Sequence, residues 1–148
     1  MDRKKFIQSC GMACVGGGAI AVLFQSCGIS KTLTGSISDS DLLVSLSDFE
    51  TKAGNEIHYK KYIIVNNDTL KFPICVYRFE EQNYSALWMQ CPHQGAELQV
   101  FGDKLQCPAH GSEFSNKGNV ASGPADKNLR SFPVTIENNQ LKISLKAV

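Results

Sequence analysis

The sequence predicts an all-β domain that follows an N-terminal export leader. Leu42, Val44 and Leu46 recur with a period of two, as on a half-buried strand. Later β-rich runs are separated by turn residues such as Asn66-Asn67-Asp68 and Gly102-Asp103. No segment after the leader has a convincing helical period.

Residues 1–26 have the layout of a signal peptide. A basic start, Arg3-Lys4-Lys5, precedes an uncharged run from Phe6 to Phe24. This run is too short and too rich in glycine to favour a membrane-spanning helix, which needs about 20 apolar residues. Residues 2–7 resemble the twin-arginine export motif with Lys4 in place of the second arginine. That route carries proteins that fold before export. An ordinary secretion leader is the alternative.

The end of the leader predicts a lipid anchor at Cys27. Residues 23–28, Leu-Phe-Gln-Ser-Cys-Gly, resemble a relaxed bacterial lipobox with a small residue, Ser26, before the cut. The predicted mature protein begins at Cys27 and is lipid-anchored in the cell envelope, on the outer, periplasmic side of the cytoplasmic membrane. The alternative is an uncleaved leader that serves as the anchor.

Composition after the leader predicts a tether and one globular domain. Residues 27–40 are rich in Ser, Thr and Gly and predict a flexible tether, and residues 41–148 predict the domain. The chain has 15 basic and 14 acidic residues, of which the leader holds three and one, so the remainder has a net charge of −1. This balance gives no indication of binding to nucleic acid or to an anionic membrane.

The predicted strands of the domain are short and separated by turns. The run Tyr84–Gln90 delivers Cys91 to a loop, and two later pairs of runs predict hairpins. The strands are Leu42–Ser47, Lys60–Asn66, Phe72–Phe79, Tyr84–Gln90, the pair Leu98–Phe101 and Lys104–Gln106, and the closing pair Val134–Ile136 and Leu141–Leu145.

Two half-motifs in the domain predict a metal site. The first reads Cys91-Pro92-His93-Gln94-Gly95 and the second Cys107-Pro108-Ala109-His110-Gly111-Ser112, so each offers one thiolate and one imidazole. Zinc accepts two Cys and two His, but zinc fingers usually group the ligands by type. A Rieske-type [2Fe–2S] centre needs two Cys on one iron and two His on the other, which a mixed pair on each of two loops can supply.

The downstream residues extend this pattern into a resemblance to the Rieske family over roughly residues 41–148. Residues 118–125, Gly-Asn-Val-Ala-Ser-Gly-Pro-Ala, are similar to the segment after the second ligand loop, as are Leu129 and Phe132-Pro133-Val134. In the family the Gly-Pro segment is a third loop that covers the cluster. The resemblance implies a stack of antiparallel β-sheets with a small cluster-binding subdomain and one [2Fe–2S] cluster per chain.

The resemblance also implies the site residues. Cys91, His93, Cys107 and His110 are the expected iron ligands. Ser112 matches a serine that donates a hydrogen bond to a cluster sulfur in high-potential members of the family.

Other positions depart from the pattern. Phe114 stands where high-potential members have a tyrosine hydroxyl. Ala96 and Ala109 stand where Rieske proteins of cytochrome bc complexes have an extra disulfide.

The predicted function is one-electron transfer in an envelope redox chain, between a donor and an acceptor protein that the sequence does not identify. We do not expect the chain to catalyse substrate oxidation alone, because it carries no catalytic domain. One alternative is the small redox subunit of an envelope oxidoreductase. The other, from a different class, is a zinc-stabilised binding module.

Overall fold

The computed structural model of the protein describes residues 31–146, so the predicted leader and Cys27 lie outside the described residues. The described chain is all-β, as predicted, and contains one short 3₁₀ turn, η1 (Leu46–Phe49). Its strands are β1 (Thr32–Thr34), β2 (Ser36–Ser38), β3 (Asp41–Ser45), β4 (Glu50–Ala53), β5 (Glu56–Tyr59), β6 (Tyr62–Asn66), β7 (Ile74–Glu80), β8 (Asn83–Trp88), β9 (Gln99–Phe101), β10 (Lys104–Gln106), β11 (Glu113–Ser115), β12 (Val120–Ser122), β13 (Ser131–Phe132), β14 (Val134–Glu137) and β15 (Gln140–Ser144).

A five-stranded sheet in the order β1-β6-β7-β8-β13 forms the middle layer. Its central strand β7 is buried on both faces, because side chains alternate between the faces of a strand. Ile74 and Val76 belong to one core, whereas Cys75 and Tyr77 belong to the other. The sheet therefore separates two hydrophobic cores.

The first core lies between this sheet and a four-stranded sheet in the order β14-β15-β3-β2. Leu42 and Val44 of β3 and Leu141 and Ile143 of β15 are its main contributions from the outer sheet, and all four are buried. The complete set is Leu42, Val44, Phe49, Ile63, Val65, Ile74, Val76, Ala86, Phe132, Leu141 and Ile143.

The second core lies on the opposite face, where residues 91–129 fold over the sheet. This segment contains a four-stranded antiparallel sheet in the order β12-β11-β10-β9, which corresponds to the predicted cluster-binding subdomain. The second core consists of Cys75, Tyr77, Leu87, Met89, Cys91, Leu98, Leu105, Cys107, Phe114, Ala125 and Leu129. Both candidate Cys ligands are thus part of a hydrophobic core.

Both predicted hairpins are present. β9 and β10 pair across Gly102, which has φ +62°, and β14 and β15 pair across Asn138 and Asn139, with φ +50° and +62°. Positive φ at these positions suits Gly and Asn and fits the tight turn that joins antiparallel strands.

Part of the predicted tether is wrong. Within residues 31–40, β1 pairs in parallel with β6 and β2 pairs antiparallel with β3. The many small polar residues indicate a linker, but Leu33 and Ile37 each add an apolar side chain against the first core. Gly35 lies between the two strands, where a Cβ atom would come within 2.7 Å of Leu42. The described domain therefore begins before Asp41.

Other elements lie outside the sequence prediction. The pair β4–β5 forms a separate two-stranded sheet whose described side chains are mostly exposed. Over residues 31–146, no helix is long and apolar enough to cross a membrane.

Candidate metal centre

The two half-motifs fold into loops with the same backbone hydrogen bonds. The N–H of Cys91 donates to the carbonyl of Ala96 (2.8 Å), and the N–H of Gly95 donates to the carbonyl of Cys91 (2.8 Å). In the second loop the N–H of Cys107 donates to the carbonyl of Ser112 (2.8 Å), and that of Gly111 to the carbonyl of Cys107 (2.9 Å).

Glycine is required at the same place in each loop. Gly95 has φ +77° and Gly111 has φ +79°, a left-handed conformation that residues with a Cβ rarely adopt. The two loops are therefore copies of one turn, six residues from Cys91 to Ala96 and from Cys107 to Ser112.

The histidines occupy different positions of this common turn. His93 lies two residues after its cysteine and His110 lies three residues after, yet their rings meet edge to face. The ring centroids are 5.1 Å apart and the ring planes are at 88°. Both imidazoles are exposed, as are the adjoining Pro92 and Pro108.

The cysteines form a second pair, which is more deeply buried than the histidine pair. Cys91 is 1% exposed and Cys107 is 2% exposed, and each thiol shifts the pKa of the other. Cys91 follows β8 and Cys107 follows β10, and both cysteines belong to the second core. Over residues 31–146 no disulfide forms, and Cys75, Cys91 and Cys107 are free thiols.

Backbone N–H groups point at both sulfurs. Burial raises the pKa of the Cys91 thiol, although N–H groups of His93 and Gln94 act in the opposite direction. Burial also acts to raise the pKa of Cys107, but the N–H groups of His110 and Ala109, together with the Cys91 thiol, lower it below its ordinary value. These donors stabilise negative charge on sulfur, and the thiolate is the form that binds metal.

The four candidate ligands are divided by residue type. Among residues 31–146, no group of three His, Cys, Asp or Glu side chains is arranged to hold a metal ion. The four candidate ligands instead form a Cys pair and a His pair. A two-iron centre with two protein ligands on each iron needs that division.

Ser112 is held by the third loop. Its side chain is fully buried, and its Oγ accepts a hydrogen bond of 3.0 Å from the N–H of Ala125. Because the oxygen is the acceptor in that bond, the hydroxyl proton remains available for donation. Phe114, two residues later, is also fully buried and belongs to the same core as Cys91 and Cys107.

Residues 50–133, more than half of the chain, match the Rieske [2Fe-2S] domain family. The chain belongs to that family. The Rieske domain binds a [2Fe–2S] cluster and serves iron–sulfur electron transfer, so the zinc alternative is not supported. No curated protein sequence is significantly similar to the chain.

Two solved Rieske structures are similar to this domain. The plasma membrane Rieske protein PetC3 of the cyanobacterium Synechocystis PCC 6803 is 28% identical, with a TM-score of 0.50, over 57% of this chain and 86% of that chain. The quaternary ammonium Rieske monooxygenase CntA in complex with L-carnitine is 17% identical, with a TM-score of 0.54, over 72% of this chain and 32% of that chain. The second likeness shows the fold alone, and this chain covers about a third of that monooxygenase.

The structure brings together the five site residues that the sequence predicts within the described range. They are Cys91, His93, Cys107, His110 and Ser112. The predicted lipidation residue, Cys27, lies outside the described residues. Sequence reasoning missed the N–H of Ala125, because a backbone donor 13 residues away leaves no signal in residue types.

Proposed function

We propose that this Rieske protein is a one-electron carrier of the cell envelope, anchored by a lipid on Cys27. Cys91 and Cys107 would hold one iron of the cluster, and His93 and His110 would hold the other. When bound, the cluster supplies a centre that accepts and releases one electron at a time. The observation that carries the proposal is the pairing of two buried thiols with two exposed imidazoles on twin loops.

The exposed imidazoles suit electron exchange with another protein. Their rings are the only titratable side chains of the two ligand loops besides the thiols, since residues 91–96 and 107–112 contain no Asp, Glu, Lys or Arg. A tip formed by His93, His110 and the exposed prolines Pro92 and Pro108, without any acidic residue, Lys or Arg, is a contact surface that costs less to desolvate than a surface of charged side chains. A redox donor and a redox acceptor would each dock there in turn.

Ser112 and the backbone N–H groups that face the two cysteine sulfurs would raise the reduction potential of the cluster. Hydrogen bonds to sulfur stabilise negative charge, which is greater after electron uptake. The N–H groups of His93, Gln94, Ala109 and His110 are fixed by the turns. Replacement of thiolates by neutral imidazoles on one iron also favours electron uptake, so it raises the reduction potential. Rieske potentials span about −150 to +300 mV.

The envelope location is supported by the leader and by Ser26-Cys27 at its end. The similarity to PetC3, described as a plasma membrane protein, is consistent with attachment to a membrane. A lipid on Cys27 would place the domain on the outer face of the cytoplasmic membrane.

Metal analysis and redox titration test the electron-transfer role. The purified protein should contain two irons and acid-labile sulfide per chain, show the absorption and EPR spectra of mixed Cys and His ligation, and titrate as a one-electron couple. Zinc without iron would contradict the proposal. Co-purification with a large molybdenum or haem subunit would instead make the chain the small subunit of an envelope oxidoreductase.

Mass spectrometry tests the anchor. The mature N-terminus should be a lipid-modified Cys27, and Cys27→Ser should move the protein from the membrane fraction. An intact Met1 terminus, or an unmodified Cys27, would contradict lipidation while leaving the electron-transfer role in place.

A further inference from the structure

The central sheet has two opposite ends, which the strand register defines. At one end Val65, Ile74 and Trp88 are neighbours, and at the other end Tyr62, Tyr77 and Ser85 are neighbours. β8 runs toward the first of these ends and continues into Cys91, so this is the ligand end. The second end lies at the start of β6, at the end of the sheet opposite the ligand loops.

Three lysines cluster at that far end. Lys31 directly precedes β1, and Lys60 and Lys61 directly precede β6, to which β1 is paired in parallel. All three are exposed, and they line one depression of about 270 Å³ together with Tyr62, Ile63 and Ile64. Its size is near the lower limit of small-molecule sites, about 300 Å³, which is enough for a phosphate-sized group. We call Lys31, Lys60 and Lys61 the lysine surface.

The three lysines have no described ion-pair partner. Over residues 31–146, no ion pair joins any of the three lysines to a carboxylate. Lys60 Nζ donates to the backbone carbonyl of Asp48 at 2.9 Å, which is a neutral acceptor. Glu80, the last residue of β7, and Glu81, in the β7–β8 turn, lie at the same end of the sheet, whereas the three lysines lie at the corner formed by β1 and β6.

This corner also holds Lys31, the first residue that the structure describes. Lys31 lies four residues after Cys27, so the two are at most about 14 Å apart in any conformation. If Cys27 carries a lipid, as proposed above, the corner is held within reach of the phosphate layer. The lysine surface and the point of attachment therefore face the same partner.

We propose that the lysine surface binds anionic phospholipid headgroups and orients the anchored domain with its ligand loops away from the membrane. This inference rests on the proposed lipidation of Cys27. Each lysine at an anionic surface favours the bound orientation about fivefold. One lipid chain with a basic patch is also a stronger attachment than one chain alone.

The orientation restricts how redox partners reach the cluster. His93 and His110 would face the aqueous side, so a donor or acceptor must be soluble or must project well above the bilayer. The near-zero net charge of the mature chain gives no sign of this, because a net charge does not record where the basic residues lie.

Site-resolved lysine labelling tests the orientation. The lipidated, cluster-loaded protein is reconstituted into phosphatidylcholine vesicles with and without phosphatidylglycerol, and exposed amines are acylated with an impermeant reagent. Labelling of Lys31, Lys60 and Lys61, measured by peptide mass spectrometry, should fall several-fold on the anionic vesicles. Labelling of Lys71, near the ligand end, and of Lys127, in the third loop, should be the same on both.

A pair of charge-matched variants separates local from general electrostatics. In Lys31→Gln/Lys61→Gln, protection of Lys60 on anionic vesicles should be largely lost. In Lys71→Gln/Lys127→Gln, which removes the same charge, Lys60 should stay protected. Lys60 is retained as the reporter because it also bonds to Asp48.

The outcomes distinguish the two proposals. A lipidated chain whose Lys60 is labelled equally on neutral and anionic vesicles would overturn the lysine surface and leave the anchor intact. Equal loss of protection in both double variants would also overturn it, since net charge alone would then explain the effect. An unmodified Cys27 in the same mass spectra would overturn the anchor, and with it this inference.

Discussion

The two faces of the central sheet are packed in different ways. The first core is built from aliphatic and aromatic side chains alone, and none of its members carries a sulfur or a hydroxyl group. The second core includes three thiols, a thioether and the Tyr77 phenol among its eleven members. Strand β7 contributes to both, with Ile74 and Val76 on one side and Cys75 and Tyr77 on the other.

The first core serves the stability of the fold, whereas the second core also holds the candidate metal ligands. Apolar side chains stabilise the first core without help from a ligand, at roughly 25 cal/mol per Å² of buried apolar surface. The second core holds two cysteines whose thiolate forms are costly to bury unless a metal neutralises them. We therefore expect the first core to persist in the metal-free protein, and the part of the second core around Cys91 and Cys107 to depend on the cluster.

The largest expected effect comes from removing a ligand. Cys91→Ala should abolish the cluster spectrum and lower iron content to background, because no other described residue can replace that thiolate. The emission wavelength of Trp88, the only tryptophan, should remain that of a packed indole, since its ring lies against Phe72 and Phe132 beside the first core.

Cys75→Ala is the matched control. It removes a thiol from the same core and should keep the cluster. Normal cluster content in Cys91→Ala would show that the ligand assignment is wrong. A fully exposed Trp88 in that variant would show that the first core does not fold alone.

The next effect compares one leucine from each core. Leu42 and Leu105 are both fully buried, so truncation of either to alanine should lower the free energy of unfolding by roughly 2–5 kcal/mol. Only Leu105→Ala should also speed iron loss, because Leu105 precedes Cys107 by two residues and packs in its core. Urea unfolding and the rate of iron release to a chelator measure the two quantities. Equal iron loss from both variants would mean that the cores are not independent.

The hairpins and the ligand loops are predictable from the sequence, because local signals specify them. Gly102-Asp103 and the Asn138-Asn139 pair predict their hairpins, since positive φ is favoured at few residue types. The ligand loops are predictable for the same reason, as each combines Cys, Pro and a glycine in a short motif.

What the sequence does not predict depends on contacts between distant residues. β1 and β2 resemble a linker in composition, and they become strands only because β6 and β3 offer edges to pair with. The bond from Asn67 Nδ2 to the carbonyl of Gly35 (2.9 Å) spans 32 residues and helps to fix that edge. The contact of Ala125 with Ser112 has the same character.

A smaller effect is expected at Ser112, which tunes the site without holding it. Its hydroxyl is free to donate to a cluster sulfur, because its oxygen accepts from Ala125. If that donation is worth about 1 kcal/mol more after electron uptake, Ser112→Ala lowers the potential by about 40 mV. Phe114→Tyr should raise it by a similar amount if the ring keeps its place.

Redox titration of the variants checks both signs. Ser85→Ala is the matched control, since the Ser85 hydroxyl donates to the carbonyl of Asn116 at 2.6 Å and Ser85 lies outside both ligand loops. It should leave the potential unchanged. An unchanged potential in Ser112→Ala would leave the backbone N–H groups and burial as the determinants.

The smallest expected effect is at Cys75, and it tests whether protein packing alone seals part of the second core. Burial raises the pKa of this thiol far above its ordinary value, against a smaller lowering by Tyr77, whose own hydroxyl is buried without a well-formed hydrogen bond. The reactive thiolate is therefore almost absent at neutral pH, and a moderate rise in pH should not restore it.

After iron is removed by chelation, alkylation followed by peptide mass spectrometry should modify Cys91 and Cys107 while Cys75 stays unmodified until the protein is unfolded. Because Cys75 lies on β7, back to back with the first core, its protection should not depend on the cluster. Alkylation of Cys75 as fast as Cys107 would show instead that loss of the metal opens the whole face down to the central sheet.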